Sequence, residues 1–226
     1  MSDDLFSHVV AAVAASGGSR SPLDTPVIAE KKVTGSNANS GQADSVSMTY
    51  DHPGGLLVVF FRHAAPASGH SVSFDGQSVP ISVVQDGLGT GDWPTAGVAV
   101  LDAVAADDSI VVSWNGDVGN RGIMAFSITE ATVRDFETAR YGDATNVAVT
   151  VPSVAGDLVL SFIAWRNSGE SISDRSGTQE LNDDSPTRME SQSQVGDWSE
   201  SNVSWTKSSH STDGANLIAL SIRKTS

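Results

Sequence analysis

Two stretches of this chain are written alike. Residues 46–62 read VSMTYDHPGGLLVVFFR and residues 147–163 read VAVTVPSVAGDLVLSFI. At an offset of 101 (147 − 46) Val46 pairs with Val147, Thr49 with Thr150, Gly55 with Gly156, Leu57 with Leu158 and Phe61 with Phe162. Each copy has an alternating run, a turn containing Pro or Gly, and a second, more continuous apolar run. That is how two half-buried strands around a turn are written. The unit predicts a β-hairpin, and its recurrence predicts a chain of two related halves.

The rest of the chain keeps the period of two. Strands are predicted at 27–34, 45–50, 56–63, 71–74, 79–84, 96–102, 109–114 and 123–128 in the first half. In the second half they are predicted at 132–138, 146–151, 158–165, 178–181, 188–194, 202–206 and 215–223. Many short strands between Gly, Asn, Asp and Ser turns define an all-β antiparallel sandwich of jelly-roll type rather than a βαβ fold. The likeness of the halves continues: Val112-Ser113-Trp114 matches Val203-Ser204-Trp205, IMAFSI at 123–128 matches LIALSI at 217–222, and Gly91-Asp92-Trp93 matches Gly196-Asp197-Trp198. Offsets that drift between such anchors are those of a duplicated unit with unequal loops. The sequence therefore divides into an arm at 1–24 and a body at 25–226, with pseudo-repeats at 25–130 and 131–226. No Pro/Gly-rich linker marks the junction near 129–135, which favours one continuous body.

The arm has its own pattern. Leu5, Val9 and Val13 recur at helical spacing behind Asp3 and Asp4, Gly17-Gly18 is a stop, and a Ser/Gly/Pro-rich connector follows. So short a helix is marginal alone in water, which makes Leu5, Phe6, Val9, Val10 and Val13 candidates for anchoring the chain to a partner. Its acidic start lacks the positive region of a signal peptide, so it is read as retained.

Charge and composition exclude several classes. The chain holds 13 Lys plus Arg against 27 Asp plus Glu, a formal charge of −14, so nucleic acid and anionic membranes are disfavoured partners. No apolar run reaches the length of about 20 residues that spans a bilayer. With no cysteine there is no disulfide, thiolate metal site or cysteine nucleophile.

Candidate chemistry is sparse. Trp93 and Trp198 each follow Gly-Asp in a polar loop, where an exposed indole stacks on sugar rings; matched Trp residues are more simply corner residues closing the sandwich. Trp114 and Trp205 are read as core, and Trp165 as rim or core. His52, His63 and His70 fall close together in sequence, but their spacing fits no metal motif and they are read as surface-loop residues. The oxygen-rich turns at 86–92, 115–120 and 182–184 lack the closing Glu of a calcium loop and read as hairpin turns. The sequon at Asn202 lies in a predicted strand beside Trp205 and is read as unused. No nucleophile elbow, zinc-protease motif, phosphate loop or dinucleotide fingerprint is present, so an enzyme is not expected and no cofactor is implied.

The order of these features resembles a family of β-sandwich domains of tailed-phage virion proteins and some bacterial surface proteins. The likeness rests on the L-x-V-x-F strand (Leu57, Val59, Phe61), V-x-F-x-G (Val72, Phe74, Gly76), V-x-W (Val112, Trp114) and A-x-S (Ala125, Ser127), and covers residues 26–224. It implies a non-enzymatic capsid decoration, head-fibre or spike component, located in the virion and assembled in host cytoplasm. Its expected partners are capsid or other virion proteins and further copies of itself; a host-surface glycan is the alternative ligand. Specificity is expected where the copies differ, in the arm and in the loops 64–70, 85–94 and 167–186.

Overall fold

The computed structural model describes residues 25–36, 43–64, 67–86, 94–142, 144–166, 171–183, 188–208 and 214–225. The arm residues Leu5, Phe6, Val9, Val10 and Val13 lie outside them, as does Trp93.

In the first half the strands are β1 (Val27–Ser36), β2 (Ala43–His52), β3 (Gly55–Ala64), β4 (Ser68–Phe74), β5 (Gln77–Ser78), β6 (Ile81–Gln85), β7 (Pro94–Ala103), β8 (Ala106–Val118) and β9 (Arg121–Thr129). The second half supplies β10 (Ala131–Tyr141), β11 (Asn146–Pro152), β12 (Leu158–Trp165), β13 (Ile172–Arg175), β14 (Thr178–Asp183), β15 (Met189–Val195), β16 (Glu200–Lys207) and β17 (Ala215–Lys224). Every strand read from the sequence is present. The two it missed, β5 and β13, are two and four residues long, too short for an alternation to show.

These strands form four antiparallel sheets. The orders are β1-β9-β3-β7-β6 and β2-β8-β4-β5 in the first half, and β10-β17-β12-β15-β14 and β11-β16-β13 in the second. Side-chain parity stacks them in four layers around three cores. On β3, Leu57, Val59 and Phe61 enter a core with Met48, Tyr50, Ile110, Val112 and Trp114. The intervening Leu56, Val58 and Phe60 point the other way and meet Leu158, Leu160 and Phe162 of β12. The odd-numbered β12 residues Val159, Ile163 and Trp165 enter a third core with Val147, Val149, Val203 and Trp205. Both central strands are covered on both faces, so LLVVFF and LVLSFIAW read as continuous apolar runs rather than alternations.

The structure corrects the opening motif in two ways. Its two strands are not a hairpin: β2 pairs with β8, whereas β3 pairs with β7 and β9. The turn between them carries the chain from one sheet to the other. It needs glycine, since Gly54 and Gly55 have φ of 96° and 95°, and a Cβ on Gly55 would lie 2.8 Å from the carbonyl oxygen of Ile128. The offset of 101 is also one residue short for the second strand. It matches Leu57, which faces the first sandwich, with Leu158, which faces the seam. Equivalent facing requires 102 (158 − 56), pairing Leu56 with Leu158, Val58 with Leu160 and Phe60 with Phe162. A slip of one residue reverses every side chain of a strand, so parity decides between the two offsets.

Candidate functional site

The ends of the strands bounding the loops 64–70, 85–94 and 167–186 meet at one pole. Ala64 pairs with Pro94 and Gln85 with Ala96, while Trp165 pairs with Ala215 and Ala164 with Met189. Asn216 ties the halves together there: its side-chain amide donates to the main-chain oxygens of Gln85, at 3.1 Å, and Pro94. Three groups at this pole have chemical potential: Arg62, the pair His63 and His70, and the arginines around them.

Arg62 ends the apolar run of β3. Its even parity sends the guanidinium into the seam behind Phe60, between its strand neighbours Ala96 and Gly122. It is 1 % exposed, and neither Nε nor Nη1 has a hydrogen-bond partner. Burial is the main cause that pushes its pKa down to about 9; the nearby Arg188 lowers it further and Asp183 opposes both. Arg188 itself donates from Nη1 to the main-chain oxygen of Arg166. Sequence reading passed over Arg62, although its parity with Leu56, Val58 and Phe60 was a signal that it faces inward.

His63 and His70 form a pair with Nε2 atoms 2.9 Å apart. His63 also lies against Trp114, with ring centroids 4.7 Å apart, and His70 stacks on Phe61 at 5.8 Å. Burial lowers the pKa of His70, partly offset by Asp86. His52 is elsewhere: its Nδ1 is 2.6 Å from Ser127 Oγ, and its Nε2 is 3.3 Å from the oxygen of Ala103. The surface-loop reading is therefore wrong for His52 and His63, both fully buried. His52 continues the inward set Met48, Tyr50, and His63 continues Leu57, Val59, Phe61. Among the described residues no group of three or more His, Cys, Asp or Glu could hold a metal ion.

The contact of His52 with Ser127 has the spacing of a nucleophile and its base, but both residues are 0 % exposed. Tyr50 joins them by bonding Ser127 Oγ at 2.9 Å and donating to the oxygen of Glu30 at 3.0 Å. This network satisfies polar groups inside a core, which is sufficient reason for it.

Trp198 lies at the opposite pole. It is 65 % exposed, which does not fit its reading as a corner residue closing the sandwich. Nor do the two Gly-Asp-Trp segments occupy matching places: Trp93 precedes β7, whereas Trp198 follows β15, the strand holding the place of β7 in the second sheet order. The loop under Trp198 is well anchored. Gly196 N donates to Asp157 O at 2.8 Å, Asp197 N to Ser201 Oγ at 2.9 Å, and Ser153 N to Ser199 O at 3.2 Å. Trp114, Trp165 and Trp205 are core. Asn202 of the sequon is on β16, as expected, with its side chain on the exposed face.

The class defined by these features is an all-β protein of stacked antiparallel sheets. No protein-family model matches the chain, and no curated protein matches it. Among solved structures it is similar to a GH2 beta-galacturonidase from Eisenbergiella tayi. The crystal structure bound to glycerol has 13 % identity and a TM-score of 0.33, and covers 81 % of this chain and 37 % of that one. The crystal structure bound to galacturonate has 14 % identity and a TM-score of 0.29, and covers 72 % and 28 %. The chain thus spans about a third of that enzyme's length, and similarity of this extent assigns it no activity.

Proposed function

We propose that the protein is a non-enzymatic structural component of a virion, a decoration, head-fibre or spike protein whose body of two jelly rolls is anchored by residues 1–24. The observation that carries this reading is the seam. Its core of Leu56, Val58, Phe60, Leu158, Leu160 and Phe162 joins the halves into one body with a continuous apolar interior, suited to load and assembly rather than to turnover. The jelly-roll assignment is supported by the orders β1-β9-β3-β7 and β2-β8-β4-β5, in which successive strands cross between the two sheets except for the paired β4 and β5, as two Greek keys would place them. Descent from a tandem duplication is supported by the second set of orders, which follows the first strand for strand except at β5. Homo-oligomers fit the symmetry of particles. Mass spectrometry of purified particles is the test: the full chain should co-purify with them in fixed copy number, and a chain lacking residues 1–24 should not. Absence of the full chain from purified particles would reject the reading.

A second reading, a glycan-binding module, is favoured by Trp198. An exposed indole on a loop fixed by several hydrogen bonds is a preorganised stacking platform. Glycan-array binding lost in Trp198→Ala, with an unchanged unfolding midpoint, would support it. An array on which the intact protein binds nothing would reject it.

A further inference from the structure

A cleft of about 740 Å3 opens at the Trp198 end of the seam, between edge strands of the two halves. One side of it is β1, and the other is made by residues of β12, β14 and β15. Ile28 and Leu158 back it with the apolar interior of the seam. Its wall carries a hydrogen-bonded cluster: Lys31 Nζ lies 2.6 Å from Glu180 Oε2, and Ser193 Oγ donates to Glu180 Oε1. The ion pair joins the halves and balances its own charge. Glu30, the other charged residue there, shares the parity of Ser127 and faces away from the seam. The cluster is nevertheless not saturated. An ammonium has three hydrogens, of which Glu180 takes one, and each carboxylate oxygen accepts more than one bond. An uncharged group that both donates and accepts fits this arrangement, and adjacent hydroxyls of a sugar do both.

The cleft continues towards Trp198. Val195 pairs with Leu158, shares the face of Ser193 two residues before it, and is exposed. Asp157, next to Leu158, holds Gly196 through its main-chain oxygen, so the loop carrying Trp198 is fixed one residue from the back of the cleft. We propose, building on the glycan reading of Trp198, that the cleft and this indole form one extended site for an uncharged oligosaccharide. Trp198 stacks on one sugar ring, and the Lys31–Glu180–Ser193 cluster binds hydroxyls of another over Ile28 and Leu158. The volume lies within the range of small-molecule sites, about 300–1,000 Å3, and exceeds what a single ring fills, so the ligand is a chain of sugars. An anionic glycan is disfavoured by the formal charge of −14.

The test starts with the intact protein on an array of uncharged glycans, and the best ligand is then titrated calorimetrically as a series of increasing chain length. Affinity should rise from the monosaccharide to the oligosaccharide and stay constant as salt is raised, since no net charge is involved. Trp198→Ala should lose binding, and so should Ala29→Trp, which fills the cleft from its exposed rim. Lys31→Met should weaken binding about tenfold, the scale of one hydrogen bond to a charged group. If Trp198→Ala loses binding while Ala29→Trp and Lys31→Met bind as the native protein does, the cleft is overturned and the glycan reading stands. An array with no bound glycan overturns both, and an affinity that falls steeply with salt overturns the uncharged ligand. Should Lys31→Met fail to fold, Ala29→Trp, which keeps the ion pair, decides.

Discussion

The rings of Phe60 and Phe162 stack across the seam with centroids 5.1 Å apart and planes inclined by only 5°. They come from the central strands of the two five-stranded sheets and occupy equivalent places, so the seam is organised about one aromatic contact. Phe126 meets Phe60 edge-on at 6.1 Å and extends the cluster. Truncating either stacked ring leaves a cavity the flanking sheets cannot close, and Phe60→Ala and Phe162→Ala should each cost about 3–5 kcal/mol. In a double-mutant cycle by chemical denaturation the pair should couple by about 0.5–1.5 kcal/mol, the increment of an aromatic contact beyond its area. Strict additivity would mean that the stack contributes only burial.

The strands were legible in the sequence, and their partners were not. Period-two alternation reports which face of a strand is buried, so β2, β11 and β16 could be placed closely, and β8 only over its middle. It carries no information on pairing, and so a turn that passes between sheets looked like a hairpin. The doubly buried β3 and β12 hid their own register, since LLVVFF satisfies either parity and only the cores distinguish an offset of 101 from 102. Arg62, His52 and His63 were missed for a related reason: polarity suggested solvent, but each continues the parity of an inward-facing set. Trp198 erred in the other direction. A short sequence match suggested a shared corner, and the strand order separates the two segments.

Gly97 on β7 is a second place where the fold leaves no choice of residue. A Cβ there would lie 2.1 Å from Cζ of Phe61, inside the ring's own volume. Phe61 is fully buried and stacked by His70, so it has little room to retreat. Gly97→Ala should therefore destabilise by about 1–3 kcal/mol through overpacking. Adding Phe61→Leu should recover part of that loss although Phe61→Leu alone is destabilising. Circular dichroism melts of the three variants check this, and independent, additive losses would contradict the packing.

The His63–His70 contact predicts a dependence on pH. With the Nε2 atoms 2.9 Å apart, one imidazole donates and the other accepts, so the contact requires an unprotonated acceptor. Burial holds the pKa of His70 below the usual histidine value of about 6.5, so the folded state takes up a proton less readily than the unfolded one. Stability is then fully present above about pH 6.5 and falls as the pH drops below it, because the unfolded chain binds more protons there. His70→Gln should flatten the histidine part of the slope between neutral and mildly acidic pH. Denaturation midpoints measured across that window test it; an unchanged slope would exclude His70 as the cause.

Asp157 is one of several buried charged residues, and its carboxylate is fully engaged. It is 1 % exposed. Its carboxylate accepts from Arg134 Nε at 2.7 Å and Nη2 at 3.4 Å, from Val154 N at 2.9 Å and from Ser221 Oγ at 2.9 Å. Its main-chain oxygen holds Gly196, the first residue of the loop carrying Trp198. Asp157→Ala strands Arg134 and the Val154 amide together and should cost about 3–5 kcal/mol, the scale of a broken buried pair. Arg134→Met should cost less, because the carboxylate keeps two of its donors and Arg134 is partly exposed. The ranking matters for the exposed indole as well. If the corner holds the loop, Asp157→Ala should shift the Trp198 fluorescence contribution, defined against Trp198→Phe, under conditions where the protein is still folded. A native-like contribution in folded Asp157→Ala would mean that Ser153 and Ser201 fix the loop without it.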